Sequence, residues 1–416
     1  MGAGLGGLLA AATAANAGKS VLVLERMPYV GGRFTTVHQD GCEITTGALH
    51  LVPHGTGGVL ARYMASIGQP FQGVPRDVIA SVFAGGRHVV WRTPLDVLEL
   101  LGARAKGDMI RIFAELAVRP SLTTFSTFEG WVQSRTRDET LRKLFERFSH
   151  FALSIRPNQI SYEEMRAVFW NIARHGLPCV PVGGCRALVE QLASHINACG
   201  GQICTTTEVI EVLRDPQAGR ACGVRFRDRR TGREEVVSAR AVVSDAGPDV
   251  TARLLVGGGR LPVEVGQPVA AGLKLHVLSD RSLIGHRGIM FCLDTERISG
   301  VVQVSNAVPS VAPAGMHMLD TFQVPMSDDF VLERRLAVED LRLVFGPAFD
   351  RHCRVVRTSA FRAAWPVNRA IKGRDHRNQE PIPGLLMVGD AYKQPGYMMV
   401  EGVASSVQQV AARLRE

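Results

Sequence analysis

Residues 1–26, MGAGLGGLLAAATAANAGKSVLVLER, decide the fold. Gly2, Gly4 and Gly7 form a G-x-G-x-x-G fingerprint, with Gly6 inside it. Such a run bends the chain sharply out of a strand, lets backbone approach a pyrophosphate and packs a helix closely on a sheet. Leu8 to Ala17 is Ala-rich and helix-forming, and Gly18 reads as its stop. SVLVLE then reads as a buried parallel strand closing on Glu25. An acid about 20 positions beyond the glycines is placed to bind ribose hydroxyls. The expectation is dinucleotide binding by Gly2, Gly4, Gly6, Gly7, Glu25 and Arg26.

The fingerprint should follow a strand, and only Met1 precedes it. In the strand order 3-2-1-4-5-6 that strand is central, with neighbours on both sides. The expectation is a short apolar strand encoded upstream of Met1. Without it, the chain should hold its cofactor poorly and expose apolar surface.

At 416 residues the chain is too long for one simple core and suits two interleaved domains. It is 46% hydrophobic with a mean hydropathy of +0.06, and no apolar run reaches membrane-spanning length. The first residues lack the charged start of a signal peptide. Eight cysteines without a C-x-x-C pair suit reduced thiols in a cytoplasm, not zinc ligands. The net charge of +9 is spread along the chain, which gives no nucleic-acid groove. It fits general solubility or attraction to an anionic membrane.

Nucleotide-domain segments are expected at 1–52, 181–260 and 375–416. The substrate-domain segments are 53–180, which is mostly helical, and 261–374, where alternation between Pro268 and Pro325 suggests a second sheet. The end of the chain reads as a strand, a Gly-Asp turn, a loop and a final helix.

Five stretches carry a family resemblance: GAGLGGL, LERMPYVGGR, PVGGCRALVEQL with GGQICTTTEVIEV, ARAVVSDAGP, and GLLMVGDAYKQPGYMMVEGVASS. Together they resemble the FAD-dependent phytoene desaturase and carotene isomerase-like group, whose relatives include retinol saturases and, more distantly, flavin amine oxidases. The resemblance implies an α/β architecture. A Rossmann-like FAD domain of the glutathione-reductase type would interleave with a substrate domain of mixed sheet and helices. It implies FAD, and no His or Cys stands in an attachment motif, so the flavin is expected to be non-covalent. Gly32 would let backbone pass close to the cofactor, with Arg33 free to hold a negative oxygen. Val209 would lie on the strand that clasps adenine. Asp390 would accept from the ribityl or pyrophosphate region, and Gly402 and Val403 would begin the helix facing the flavin C2 carbonyl. Asp245 stands where the group often has Asn. The YMMVEGVASS ending and the chain's shortness depart from members that desaturate phytoene.

The chemistry implied is desaturation, saturation or isomerisation of a long apolar polyene or isoprenoid, by hydride transfer at flavin N5. The electron partner, whether quinone, oxygen or NAD(P)H, is not written in the sequence. The alternatives are a flavin oxidase of small amines and a non-catalytic flavin- or lipid-binding relative. No H-E-x-x-H, G-x-S-x-G or paired-Cys motif is present, and no metal is expected. His50 and His54 are either acid–base groups or structural caps. Lys274 either approaches the flavin or snorkels from a sheet edge. Tyr397 either lines a substrate channel or packs on its loop. The stretch from Pro94 to Arg119 is either a basic amphipathic segment for peripheral membrane contact or a core-facing helix pair broken at Gly102 and Gly107.

Overall fold

The computed structural model describes residues 1–117, 125–255, 265–371 and 376–416. Arg119 and the expected boundaries near 260 and 375 lie outside the described residues. The glycine turn leads into the helix Leu5–Asn16, which is buried on nearly every side, and Gly18 stops it at φ +73°. Its Ala-rich sequence suits that position. Leu8, Leu9 and Ala12 are enclosed by Leu188 and Leu192 of helix Gly184–Ala198 and by Ala404 and Val407 of helix Met399–Arg415. Small side chains let three helices approach one another.

The strand Leu22–Leu24 pairs in parallel with Gln202–Cys204, and Val242–Ser244 pairs in parallel with Leu385–Met387. Met1 and Gly2 lie between the two pairs. The Met1 amino group donates to Val243 O at 2.6 Å, and Gly2 N donates to Leu24 O at 2.9 Å. The strands therefore stand in the doubly wound order, with Met1–Gly2 at the end of the central position. Helix Val59–Ser66, expected on the substrate side, puts Leu60 and Met64 into the nucleotide-side core. Tyr63 Oη meets Thr13 Oγ1 there at 2.7 Å.

The second sheet has seven strands, in the order Cys353–Phe361, Gly272–Ser279, His317–Phe322, Gly300–Gln303, Ile289–Cys292, Ala80–Ala84 and Arg87–Trp91. The alternating stretch 268–325 supplies its middle. The last two strands fall where the sequence was read as mostly helical, which is a correction. Their turn is Gly85-Gly86, with φ of +58° and +68°, the two-residue hairpin signal that L-residues resist. Each face of this sheet has its own core. Val82 and Phe291 point to the helices Phe128–Arg135, Glu139–Leu153 and Tyr162–His175, while Phe83 and Met290 pack against Ala337 and Leu341 of helix Phe330–Phe345. Alternation along each strand produces this two-sided packing. The helical layer centres on Trp131, stacked on Phe128 at 5.7 Å and tilted on Tyr162 at 5.1 Å.

Two further expectations change. Gly107 lies within helix Ala103–Ala117, so only Gly102 marks a break. Lys274 is not an edge lysine: its strand has neighbours on both sides and its side chain is buried. Lys274 Nζ lies 2.7 Å from Asp320 Oδ2, and His276 Nδ1 lies 2.7 Å from Asp320 Oδ1. Burial alone would raise the Asp320 pKa, yet these two groups hold it well below the usual carboxylate range. Breaking such a group leaves a buried charge uncompensated. Lys274→Met should therefore cost about 3–5 kcal/mol in urea unfolding, and adding Asp320→Leu should recover most of the loss. A double variant no more stable than the single one would contradict this account.

Candidate cofactor site

A groove of about 370 Å³ runs along the C-terminal ends of the parallel strands. At one end Glu25 is nearly buried, and its carboxylate is oriented by two backbone donors. Ala3 N donates to Oε2 at 2.7 Å and Met27 N to Oε1 at 2.8 Å. Each oxygen retains lone-pair capacity for a hydroxyl. Arg26 is exposed on the rim. Val209 lines the same end from strand Thr207–Arg214, an edge strand whose outer side has no strand partner among the described residues.

The glycine turn forms the middle of the groove. Gly2 adopts φ +87°, and a Cβ on Gly7 would overlap the Gly2 carbonyl. Gly32, at φ +55°, lies against Gly4, and Gly31 N donates to Ala3 O at 2.7 Å. Asp245 is wedged against this turn. A side chain on Gly4, Gly6 or Gly389 would collide with its carboxylate, which accepts from Gly7 N. Burial pushes the Asp245 pKa up to about 7, against the opposing pull of Gly7 N, Arg369 and Arg33.

Arg33 is not free. It donates from Nη1 to the carbonyls of Pro366 and Val367, at 2.7 and 2.9 Å, and pairs through Nη2 with Asp390 Oδ1 at 2.8 Å. Asp390 also accepts from Arg369, from N at 3.0 Å and from Nη1 at 3.1 Å. Burial would raise the Asp390 pKa, but the two guanidinium groups hold it well below the carboxylate range. Arg369 was not foreseen, since nothing in WPVNR marks one basic residue as special.

The other end is built from Gly47, Ala48, Leu49 and Leu51, with Leu153, Phe361 and Met399 opposite. The last helix begins at Met399, earlier than expected, and Met399 takes φ +46°, a strained value for a side-chain-bearing residue. Glu401 N and Gly402 N donate back to Met398 O, so Gly402 is not the amide that fronts the groove. A Cβ on Gly402 would crowd Lys393. Met399, Val400 and Val403 do the lining.

The remaining candidates support this wall from behind. His50 Nε2 accepts from Cys185 N at 3.1 Å, capping helix Gly184–Ala198, and burial followed by Lys274 pushes its pKa down to about 4. Lys274 Nζ donates to Gly47 O at 3.0 Å. His54, also lowered to about 4 chiefly by burial, packs with His175 at 5.6 Å. Tyr397 stacks on His175 at 6.1 Å and does not line the groove.

An acid for ribose, a close-packed glycine turn and a helix start beside an apolar wall fit an extended flavin dinucleotide. The sequence profile described as flavin containing amine oxidoreductase matches residues 5–415. The chain belongs to that family. Its cofactor is FAD, and its activity is that of an FAD-dependent oxidoreductase. Among solved structures it is similar to an oxidoreductase from Methanosarcina mazei. That likeness has a TM-score of 0.89 and 31% identity, covering 99% of this chain and 98% of the other. An uncharacterised protein of Methanocaldococcus jannaschii is 28% identical over 411 residues, covering 99% of this chain and 97% of that one. Human all-trans-retinol 13,14-reductase is 27% identical over 346 residues, covering 70% of this chain and 53% of the reductase.

Two outcomes follow for FAD retention. Glu25→Ala should weaken binding by about 1.5–3 kcal/mol, measured by flavin fluorescence on dilution, through loss of charge-assisted bonds. A pyrophosphate bound beside Asp245 would stabilise its protonated form, and FAD binding should then take up a proton. The dissociation constant should rise with pH above about 7, by up to roughly tenfold per unit, and Asp245→Asn should flatten that slope. An unchanged slope in the variant would remove Asp245 from the account.

Proposed function

We propose that this FAD-dependent oxidoreductase acts on a long apolar polyene or isoprenoid, in the manner of the phytoene desaturase and retinol saturase-like group. The observation that carries the reading is the composition of the wall at the Leu49–Met399 end. The acidic residues lining the groove are Glu25, Glu208, Asp245 and Asp390. The first three stand at the adenosine end and the glycine turn, and the last is locked by two arginines. An ammonium substrate would meet no free carboxylate at the apolar end, and no tyrosine among the described residues lines the groove. The likeness to a retinol reductase supports the same substrate class.

FAD, when bound, supplies the hydride acceptor or donor. The chain's own part is to orient the substrate and exclude water. An unactivated C–H offers no group for an acid or base, which agrees with a groove lining that holds no histidine among the described residues and with His50, between Leu49 and Leu51 in sequence, being held neutral. Lys274 fixes the Gly47 carbonyl and so the path of that wall.

Entry from a membrane surface belongs to the same proposal. Helix Ala103–Ala117 buries Ala105, Met109, Ile112 and Leu116, and turns Arg104, Lys106, Ile110 and Phe113 outward. Ile110 is 62% exposed, Phe113 48% and Leu95 nearby in sequence 71%, apolar groups on the same stretch as the exposed cations Arg104 and Lys106. That combination suits an anionic lipid surface. No helix among the described residues is long and apolar enough to cross a membrane.

Carotenoids or retinoids should change the flavin absorbance of the holoenzyme under anaerobic conditions, in the oxidised or the photoreduced form. A panel of primary amines should leave the oxidised spectrum unchanged. Amine-driven bleaching with no polyene response would favour an amine oxidase instead. In flotation assays the protein should rise with anionic vesicles at low salt, and Arg104→Glu with Lys106→Glu should abolish this. Salt-independent absence of binding would retire the membrane route.

A further inference from the structure

Asn368 borders the groove and is only 7% exposed. Its side chain is fixed by a local turn, in which Oδ1 accepts from Ala370 N at 3.1 Å. A backbone N–H only donates, so the atom facing it is the amide oxygen, and Nδ2 is the end left over. Among the described residues Nδ2 meets no acceptor. The backbone beneath is held as firmly: Ala270 N donates to Asn368 O at 2.8 Å, and Val367 N donates to Ala270 O at 2.9 Å. A nearly buried amide donor without a partner is costly. This one cannot turn away without giving up the bond from Ala370.

Its neighbours in sequence indicate which part of the cofactor it meets. On one side, Arg369 lies over Gly247, where a Cβ would collide with the guanidinium. Arg369 also pairs with Asp390, and Gly389 before it packs on Asp245 at the glycine turn. On the other side, Val367 presses on Gly272, which pairs with Phe361 of the apolar end. Asn368 therefore stands between the glycine turn, which suits the pyrophosphate, and the flavin end. The ribityl chain of an extended FAD passes there. Arg33 and Arg369 are both committed to Asp390, so the donor that Asn368 offers is neutral. An uncharged donor suits a hydroxyl oxygen, whereas a phosphate draws a cation. We propose that Asn368 is a cofactor-binding residue that donates from Nδ2 to a ribityl hydroxyl oxygen. The assignment rests on the FAD site and is independent of the substrate.

The test compares FAD with ligands that carry only part of it. Dissociation constants for FAD come from flavin fluorescence on dilution of the holoenzyme. Those for ADP, which has the adenosine and both phosphates without the ribityl chain, come from competition with FAD. Asn368→Ala should weaken FAD binding about five- to tenfold, the increment of one neutral hydrogen bond. Asn368→Ser, whose hydroxyl can still accept from Ala370 N, should weaken it as much. Flavin absorbance of the purified variants establishes that they fold and load. ADP should bind wild type and variants equally. Among FAD analogues lacking the 2′-, 3′- or 4′-hydroxyl of the ribityl chain, one should bind wild type weakly and lose nothing further in Asn368→Ala. An unchanged FAD constant overturns the proposal. So does an equal loss for FAD and ADP, the result of a broken turn or a pyrophosphate contact, and so does a loss that Asn368→Ser does not share. A loss that persists undiminished with every deoxyribityl analogue overturns the hydroxyl assignment.

Discussion

Asp390 holds three distant parts of the chain to one geometry. Its carboxylate is buried, a position that would neutralise an unpaired acid, and it stays ionised because Arg33 and Arg369 converge on it. Arg33 follows the glycine pair of the first nucleotide segment, Arg369 comes from the substrate side, and Asp390 follows the last parallel strand. The backbone carbonyls of Pro366 and Val367 complete the junction. The groove lies between these segments, so its width is set by a few hydrogen bonds near 3 Å. Losing any one of them would leave buried charge unmatched, with consequences for cofactor and fold together.

Much of the nucleotide side was legible from local spacing. The glycine turn, the Gly18 stop, the strand ending at Glu25 and the late Gly389–Asp390 turn all depend on residues within a few positions of each other, and the structure places them as expected. The seven-stranded sheet was only half visible. Its hairpin at Gly85-Gly86 carried a clear turn signal, but the helical periodicity on its C-terminal side dominated the reading of that region. The strand Cys353–Phe361 was not foreseen, and it became the sheet's edge through pairing with Gly272–Ser279.

Side-chain roles set by long-range partners were not legible. Arg33 looked available because the carbonyls it serves lie more than 300 positions away in sequence. Lys274 looked like an edge residue because its burial depends on strand order, which no local pattern encodes. Gly402 looked like the start of a helix that in fact begins at Met399, where the backbone accepts strain beside the groove. In each case the sequence specified the chemistry of the group, and topology decided what that group meets.

The nucleotide core is assembled from segments several hundred residues apart in sequence, and this has a consequence for biosynthesis. The strand Leu385–Met387 and the helix Met399–Arg415 follow the glycine turn by several hundred residues, yet they pair with the strand Val242–Ser244 and enclose the helix Leu5–Asn16. During translation the early βα unit must wait with its apolar face uncovered while several hundred residues follow, an arrangement of high contact order.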